Sequence, residues 1–520
     1  MKERIPFGVK CRPLLVAALL LILIFAVVYA AAVGPYWKIT PDSSSYVLGA
    51  KSLARGEGYT VRGNPVQLFP PLTSMIFSVF HRLSPDNYRL LNGVVTLFAL
   101  ASLFLFWRLF RDSLGNVAGL VIVLLSMGSV YLFQQSTFLL SDIFYMFFSA
   151  ASLLAFENLM GGKSRFWVFP AGGALLGACL TRSAGIALLA AVIVAMLVFL
   201  AGKRTRGAEA GGSASALWLA LAFVLPLLFT VLWGVRNARQ GLSYFDLFFQ
   251  KEAYVPEAGY ATLLDLLCRF FSNLKRFLGI GEVLSNAPSD GLPVIQAVAR
   301  FIGTGLFFWG LFRSLKKELT LTALYATLYL LLIEMNQAET GFRLLVPLVP
   351  ICFFYAWRGL ADIGSRLRLG AETPAGKAAA VCLVGYVLLY LGVGMSDMLH
   401  RLPREHRSPF GAYPVKYEAN YDAQRLALWL RANSPAQTRY LCQHARMWDV
   451  VTERRGFDFP FSRDPRKLMN TLVGENIDYV LVDKNKEMVG AFLMPVLQAF
   501  PSKFELVIEA ERASLYRIKK

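Results

Sequence analysis

Apolar runs separated by short polar turns recur from Pro13 to about residue 397. A bilayer core about 30 Å thick needs about 20 helical residues to cross it. On that measure the pattern predicts eleven spans: 13–33, 88–110, 117–133, 141–160, 166–181, 183–200, 217–235, 293–312, 319–335, 343–360 and 377–397. The first run is longer than the roughly 7–15 residues of a signal-peptide core, so it is read as a span. Phe69–Leu83, "FPPLTSMIFSVFHRL", is apolar but short, and counting it as a span would invert every later basic loop. It is read instead as an amphipathic helix lying at the outer interface.

From residue 398 the pattern changes. Charge rises, and "DAQRLALWLRANS", "TRYLCQ", "DPRKLMNTLVGENI" and "DYVLVD" read as helix, strand, helix, strand, with "KFELVIEA" and "SLYRIKK" as a closing hairpin. The expected domains are therefore a membrane module, 1–397, and a soluble α/β domain, 398–520. Three outer loops matter in the first: 34–87, 134–142 and 236–291. No repeat and no inverted halves mark a transporter.

Composition agrees with a membrane class. Hydrophobic residues are 56% and charged residues 17% of the 520 positions, against about 25% charged in soluble domains. The net charge of +19 would suit nucleic acid, but its basic residues cluster in short turns between apolar runs. That is how cytoplasmic loops face anionic lipid, so membrane lipids and not nucleic acid are the expected partners. The positive-inside rule sets the amino terminus (Lys2, Arg4, Lys10, Arg12) in the cytoplasm. It places the turns bearing Arg108, Lys163, Lys203, Arg313 and Arg366 there too. Residues 34–87 and the tail then lie outside. The six cysteines contain no CxxC, which leaves Cys268 and Cys442 as the one conceivable exocytoplasmic pair. The four histidines, His81, His400, His406 and His444, show no metal-ligand spacing.

The candidate chemistry gathers at the outer ends of spans. "TPDSSSYVLGAKSLARGEGYT" (40–60) reads as a short helix with Asp42 at its cap, Tyr46, Ala50 and Leu53 at helical spacing, and Gly56 and Gly58 as stops. Asp142, at the start of the fourth span, has the same two readings: cap or functional carboxylate. Arg182 sits at the turn between spans five and six. Arg236, Asn237 and Arg239 end span seven, and Glu339 and Arg343 open span ten. Each arginine has a bland reading as a snorkelling anchor. Together, against the positive-inside bias, they point to phosphate, whose oxygens match the planar guanidinium fork. Carboxylates able to take a proton and cations able to stabilise a departing phosphate describe group transfer from a lipid phosphate.

Six pieces in order carry a resemblance: "DSSSYVLGAKSLARGEGY", "FPPLTSMIF", "LLSDIFYMFF", "LTRSAGIALL", "PLLFTVLWGVRNARQG" and "FRLLVPLVP". Residues 13–360 resemble the polyprenyl-phosphate-sugar-dependent glycosyltransferases of the GT-C fold. The branch is the one containing protein O-mannosyltransferases, the lipid A aminoarabinose transferase and the rhizobial lipopolysaccharide galacturonosyltransferases. The resemblance implies an α-helical polytopic protein of the bacterial inner membrane, with an exocytoplasmic α/β tail. Its activity would be inverting transfer of one sugar from a polyprenyl-phosphate carrier to a lipid, glycan or protein acceptor. Asp42 would match the catalytic base, and Asp142 the second acid, which supports the site or helps bind a metal. Arg343, Arg236 and Arg182 would face the donor phosphate. Tyr46, Tyr59, Pro70 and Pro71 would shape the loop and acceptor side. No cofactor is certain, and a divalent metal is one possibility. Ser43 stands where the mannosyltransferases carry a second acid, and Phe69 where many relatives have histidine. Both departures weaken a protein-mannosyl assignment and the case for a metal site. Two other readings compete: a flippase-like carrier of lipid-linked glycan, and an O-antigen ligase or polymerase. The carrier leaves the long first loop and soluble tail unexplained, and the ligases lean less on a first-loop aspartate.

Overall fold

The computed structural model describes residues 12–61, 63–205, 211–239, 248–252, 258–286, 293–336, 341–369, 373–406, 421–462, 464–486 and 488–519. Each expected span is helical. The helices are Arg12–Ala31, Tyr88–Leu114, Asn116–Met127, Asp142–Met160, Val168–Thr181, Gly185–Thr205, Gly211–Arg239, Pro293–Lys317, Leu321–Glu334, Val349–Arg366 and Pro374–Glu405. Among the described residues six helices are long and apolar enough to cross a membrane, and Asn116–Met127, Gly185–Phe199 and Leu321–Glu334 are shorter apolar ones. Contacts divide the chain into two compact units. One takes Met1–Pro35, Ala50–Phe248 and Thr262–His406; the other takes Tyr36–Gly49, Phe249–Ala261 and Arg407–Lys520.

In the membrane unit, the expected span 117–133 breaks at Gly128 and resumes as Val130–Gln135. A break inside a membrane helix frees backbone groups that lipid cannot satisfy. Here one side chain serves both sides of it: Asn286 Nδ2 donates to the Gly128 carbonyl at 2.8 Å, and Val130 N donates to Asn286 Oδ1 at 3.2 Å. Gly394 makes the close approach possible, since a Cβ there would lie 2.1 Å from the Gly128 carbonyl oxygen. Small residues at such crossings let helices gain van der Waals contact where lipid offers no hydrophobic drive.

The short segment is the helix Leu72–Leu83, whose 12 residues reach only about 18 Å. Its polarity is inside out. Thr73, Ser74, Phe77 and Ser78 are buried, whereas Met75, Val79 and Leu83 are exposed, which suits an interfacial helix with its apolar face toward lipid. Leu263–Asn273, in the third long loop, is alike: a Thr262/Asp265 capping box starts it, and Leu263, Leu264, Leu267 and Phe271 are exposed. Its end holds the carbonyls at the close of Leu321–Glu334, through Asn273 Nδ2 to Glu334 O at 2.7 Å and Arg276 Nη1 to Asn336 O at 2.9 Å.

A small hairpin, β1 (Thr60–Val61) and β2 (Asn64–Pro65), belongs to the first loop. The tail carries β3 (Arg439–Cys442), β4 (Arg455–Asp458), β5 (Tyr479–Asp483), β6 (Phe504–Glu509) and β7 (Ala513–Ile518), in the order β4-β3-β5-β7-β6. β3 pairs parallel with β4 and β5, while β7 pairs antiparallel with β5 and β6, so the expected closing hairpin forms. Alternation along the strands covers both faces. Leu441, Val480 and Val482 enter one core with Leu468 and Leu493, while Tyr440, Cys442 and Leu481 enter another with Leu426 and Trp448. β4 and the helix Ala445–Thr452 are additions to the expected pattern. Cys268 is exposed and Cys442 is buried.

Candidate active site

Asp142 opens the helix Asp142–Met160, and its side chain is wholly buried. Two arginines from separate turns meet it. Arg343, in the 3₁₀ turn Gly341–Leu348, donates from Nε to Oδ2 at 2.8 Å. Arg182, just past the helix Val168–Thr181, pairs through Nη1 with Oδ1. Both oxygens are thus engaged, and the start of a helix further favours the negative charge. The guanidinium-bearing side chains keep 15% and 23% of their surface against 0% for the carboxylate. Two cations on one anion leave the group a net charge of +1, and the accessible part of that group is its cationic side.

Three buried tyrosines, which the sequence reading missed, fix the turns that carry the arginines. Tyr145 donates to Ala184 O at 3.2 Å, beside Arg182, and Tyr329 donates to Leu344 O at 3.0 Å, beside Arg343. Tyr325 bonds the Tyr145 hydroxyl at 3.3 Å, and the Tyr145 and Tyr329 rings stack at 5.8 Å. The signal was present: "ALYATLYLL" places two hydroxyls four residues apart on one face of an otherwise apolar helix.

Arg236 lies with the first loop. Its Nη1 donates to Val66 O and to Asn237 Oδ1, each at 3.1 Å, and its guanidinium covers the Trp233 ring at 4.7 Å. Tyr59 donates to Phe69 O at 3.0 Å. Between these two anchors Leu68 adopts a left-handed backbone (φ 63°), which is unfavourable for a branched side chain. Pro70 is buried, and Pro71 caps Leu72–Leu83. Arg82, also missed, closes the preceding helix by donating to Leu53 O at 2.8 Å and Ala54 O at 3.2 Å.

Asp42 and Tyr46 lie on the helix Pro41–Ala54, in the part that belongs to the tail's unit. The expected cap is corrected: Thr40, not Asp42, caps this helix. Ser43 N donates to Thr40 Oγ1 at 3.1 Å while Thr40 N donates to Ser43 Oγ at 2.8 Å, a reciprocal capping box. Pro41 takes the first helical position, where a missing N–H costs nothing. Asp42 is half-buried in the first turn and Tyr46 is buried. Trp37 Nε1 donates to Ser43 Oγ at 3.0 Å and braces the turn.

The expected carboxylates and arginines therefore fall into groups: Asp142 with Arg182 and Arg343, Arg236 with Val66, and Asp42 with Tyr46 on the tail's unit. Glu339 lies outside the described residues. Among those described, no three ligating side chains gather for a metal. Asp142, the expected ligand, gives one oxygen to each arginine, so the residues present do not fit a metal there.

No protein-family model matches the chain, and no curated protein matches it in sequence. Solved structures do match in fold. With ArnT from Cupriavidus metallidurans bound to undecaprenyl phosphate the TM-score is 0.60 at 13% identity, covering 96% of this chain and 97% of that one. With the archaeal oligosaccharyltransferase AglB from Archaeoglobus fulgidus, in complex with an inhibitory peptide and a dolichol-phosphate, it is 0.57 at 13% identity, covering 97% and 74%. A structure of the Archaeoglobus fulgidus oligosaccharyltransferase with Zn and sulfate scores 0.52 at 12% identity, covering 95% and 72%. The fold of this chain is the GT-C fold of these membrane glycosyltransferases.

Proposed function

We propose that this chain transfers one sugar from a polyprenyl-phosphate carrier to a lipid, glycan or protein acceptor at the exocytoplasmic face, with inversion. The observation that carries the reading is the pair of guanidiniums held on one buried carboxylate, in a fold shared with glycosyltransferases solved with undecaprenyl phosphate and dolichol-phosphate. In the reaction an acceptor hydroxyl or amine attacks the anomeric carbon, and the bond from that carbon to the phosphate oxygen breaks. The electron pair leaves with the polyprenyl phosphate, and the acceptor proton passes to Asp42. A single displacement inverts the anomeric centre. The leaving phosphate gains one negative charge, which fixed guanidiniums in a water-poor site stabilise without reorganising. Arg343 and Arg182 take that role, and Asp142 is their positioning residue. Arg236 supports the first loop through Val66.

The test follows consumption of a polyprenyl-phosphate sugar in membranes containing wild type or Arg343→Ala at matched protein levels. Loss of one such cation is expected to lower turnover about 100-fold. Wild-type turnover by Arg343→Ala would remove the arginine from the mechanism. Identifying the labelled product of the wild type names the acceptor.

A further inference from the structure

The first-loop residues Tyr36–Gly49 form one compact unit with the tail domain. Ile39 packs against the core made by Leu426, Trp448 and Leu515. Arg446 donates from Nη1 to Ser45 Oγ at 3.2 Å. Ser45 is three residues after Asp42 on the same helix, so both lie on one helical face. The negative charge of Asp42 also reaches the half-buried ring of His444, two residues before Arg446.

The local fold explains why these two side chains lie where they do. His444 takes a left-handed backbone (φ 61°, ψ 50°) at the start of the helix Ala445–Thr452, reversing the chain directly after β3. Asp458 at the end of β4 holds the reversal, accepting from Ala445 N at 2.8 Å. One turn along, Asp449 Oδ1 accepts from both Tyr440 and Gly456 N at 2.8 Å, which ties the helix to β3 and β4. The sheet therefore sets the position of His444 and Arg446.

We propose that Arg446 is a positioning residue, holding the turn that bears Asp42, so that the tail domain is a working part of the transferase. The proposal rests on the reading of Asp42 as base. A hydroxyl pinned by an arginine fixes the orientation of the helix about its axis, and with it the direction of the carboxylate three residues earlier. The loop end near Asp42 is then set by a folded domain and not by the loop itself.

The experiment uses the full chain in detergent with a polyprenyl-phosphate sugar donor. Arg446→Ala is expected to lower kcat roughly tenfold, the scale of one charge-assisted hydrogen bond, with the donor KM unchanged. Arg446→Lys recovers part of the loss. Ser45→Ala lowers kcat too, and the double variant Ser45→Ala/Arg446→Ala is no slower than Arg446→Ala, because both remove one interaction. Hydrogen exchange at amides 42–47 speeds up in Arg446→Ala, and this readout needs no turnover. Wild-type kcat with unchanged exchange, or additive losses in the double variant, overturns the proposal. Asp42→Asn in the same assay separates the two readings. If it transfers normally the base assignment fails, and exchange still judges the clasp. If it is inactive while Arg446→Ala behaves as wild type, only the positioning role fails.

Discussion

Replacing Asp142 by asparagine keeps the shape of the side chain and removes its charge. In the wild type, the carboxylate is fully buried and pairs with Arg343 at 2.8 Å and with Arg182. With about 4 Å between charge centres and an effective dielectric of about 20, each pair is worth about 4 kcal/mol. Breaking a buried pair from one side costs roughly 3–5 kcal/mol, because the remaining charge keeps its desolvation penalty. The guanidiniums retain 15% and 23% of their surface, so water repays part of that, and a loss of about 2–4 kcal/mol is expected. The net charge of the group rises from +1 to +2, and the arginines separate. Adding Arg182→Gln restores +1. The double variant is therefore expected to regain more than half of the lost thermal stability, yet to stay at least tenfold below wild type in turnover, since a cation proposed to face the phosphate is gone. Thermal unfolding of the purified protein in one detergent, read beside donor consumption, measures both. Additive stability losses in the double variant would refute the charge-balance argument. Wild-type stability and turnover in Asp142→Asn would refute the whole cluster.

The cap assignment makes Asp42 and Thr40 separable. Asp42→Asn is expected to abolish transfer with little change in unfolding temperature, while Thr40→Ala costs about 1 kcal/mol of stability and only modestly slows transfer; the reverse pattern would make Asp42 structural. A pH series tests His444. Burial pulls its pKa below the usual 6.5, against the opposing pull of Asp458 and Asp42, so the folded tail binds fewer protons there than the unfolded chain. Stability from this group is then present above pH 6.5 and lost as pH falls below it. Urea unfolding of the full chain at pH 7.5 and 5.5, followed by Trp fluorescence, should show a smaller acid loss in His444→Gln than in wild type; an equal loss would place the titration elsewhere.

Segment by segment, the helices of the membrane unit were legible because lipid imposes one rule on every residue of a span. The arginines were legible for the opposite reason: a guanidinium beside lipid is costly enough that its presence asks for a partner, and two of them share Asp142. The tyrosines left only the spacing of Tyr325 and Tyr329 as a signal, and their task was not legible. A tyrosine inside an apolar run satisfies the same hydropathy as phenylalanine, and only tertiary structure reveals that Tyr145 and Tyr329 spend their hydroxyls on the turns carrying those arginines. β4 was hidden because "RGFD" has no period-two alternation to detect.

Capping at Asp42 shows how a local rule misleads when two residues satisfy it. Aspartate and threonine are both good caps, and aspartate is the stronger by propensity. The deciding fact is reciprocity. Thr40 and Ser43 each accept from the other's backbone, closing a two-bond ring that Asp42, inside the helix, cannot enter. Proline at position 41 fits the first helical turn because its missing N–H would have no partner there anyway. A carboxylate next to a complete cap adds only the modest helix-dipole term, up to about 1 kcal/mol at a surface site. Helix formation therefore asks little of Asp42. What the aspartate contributes must be sought in its surroundings: the tail that shares its unit, the arginine bonded three residues along its face, and the acceptor proton assigned to it.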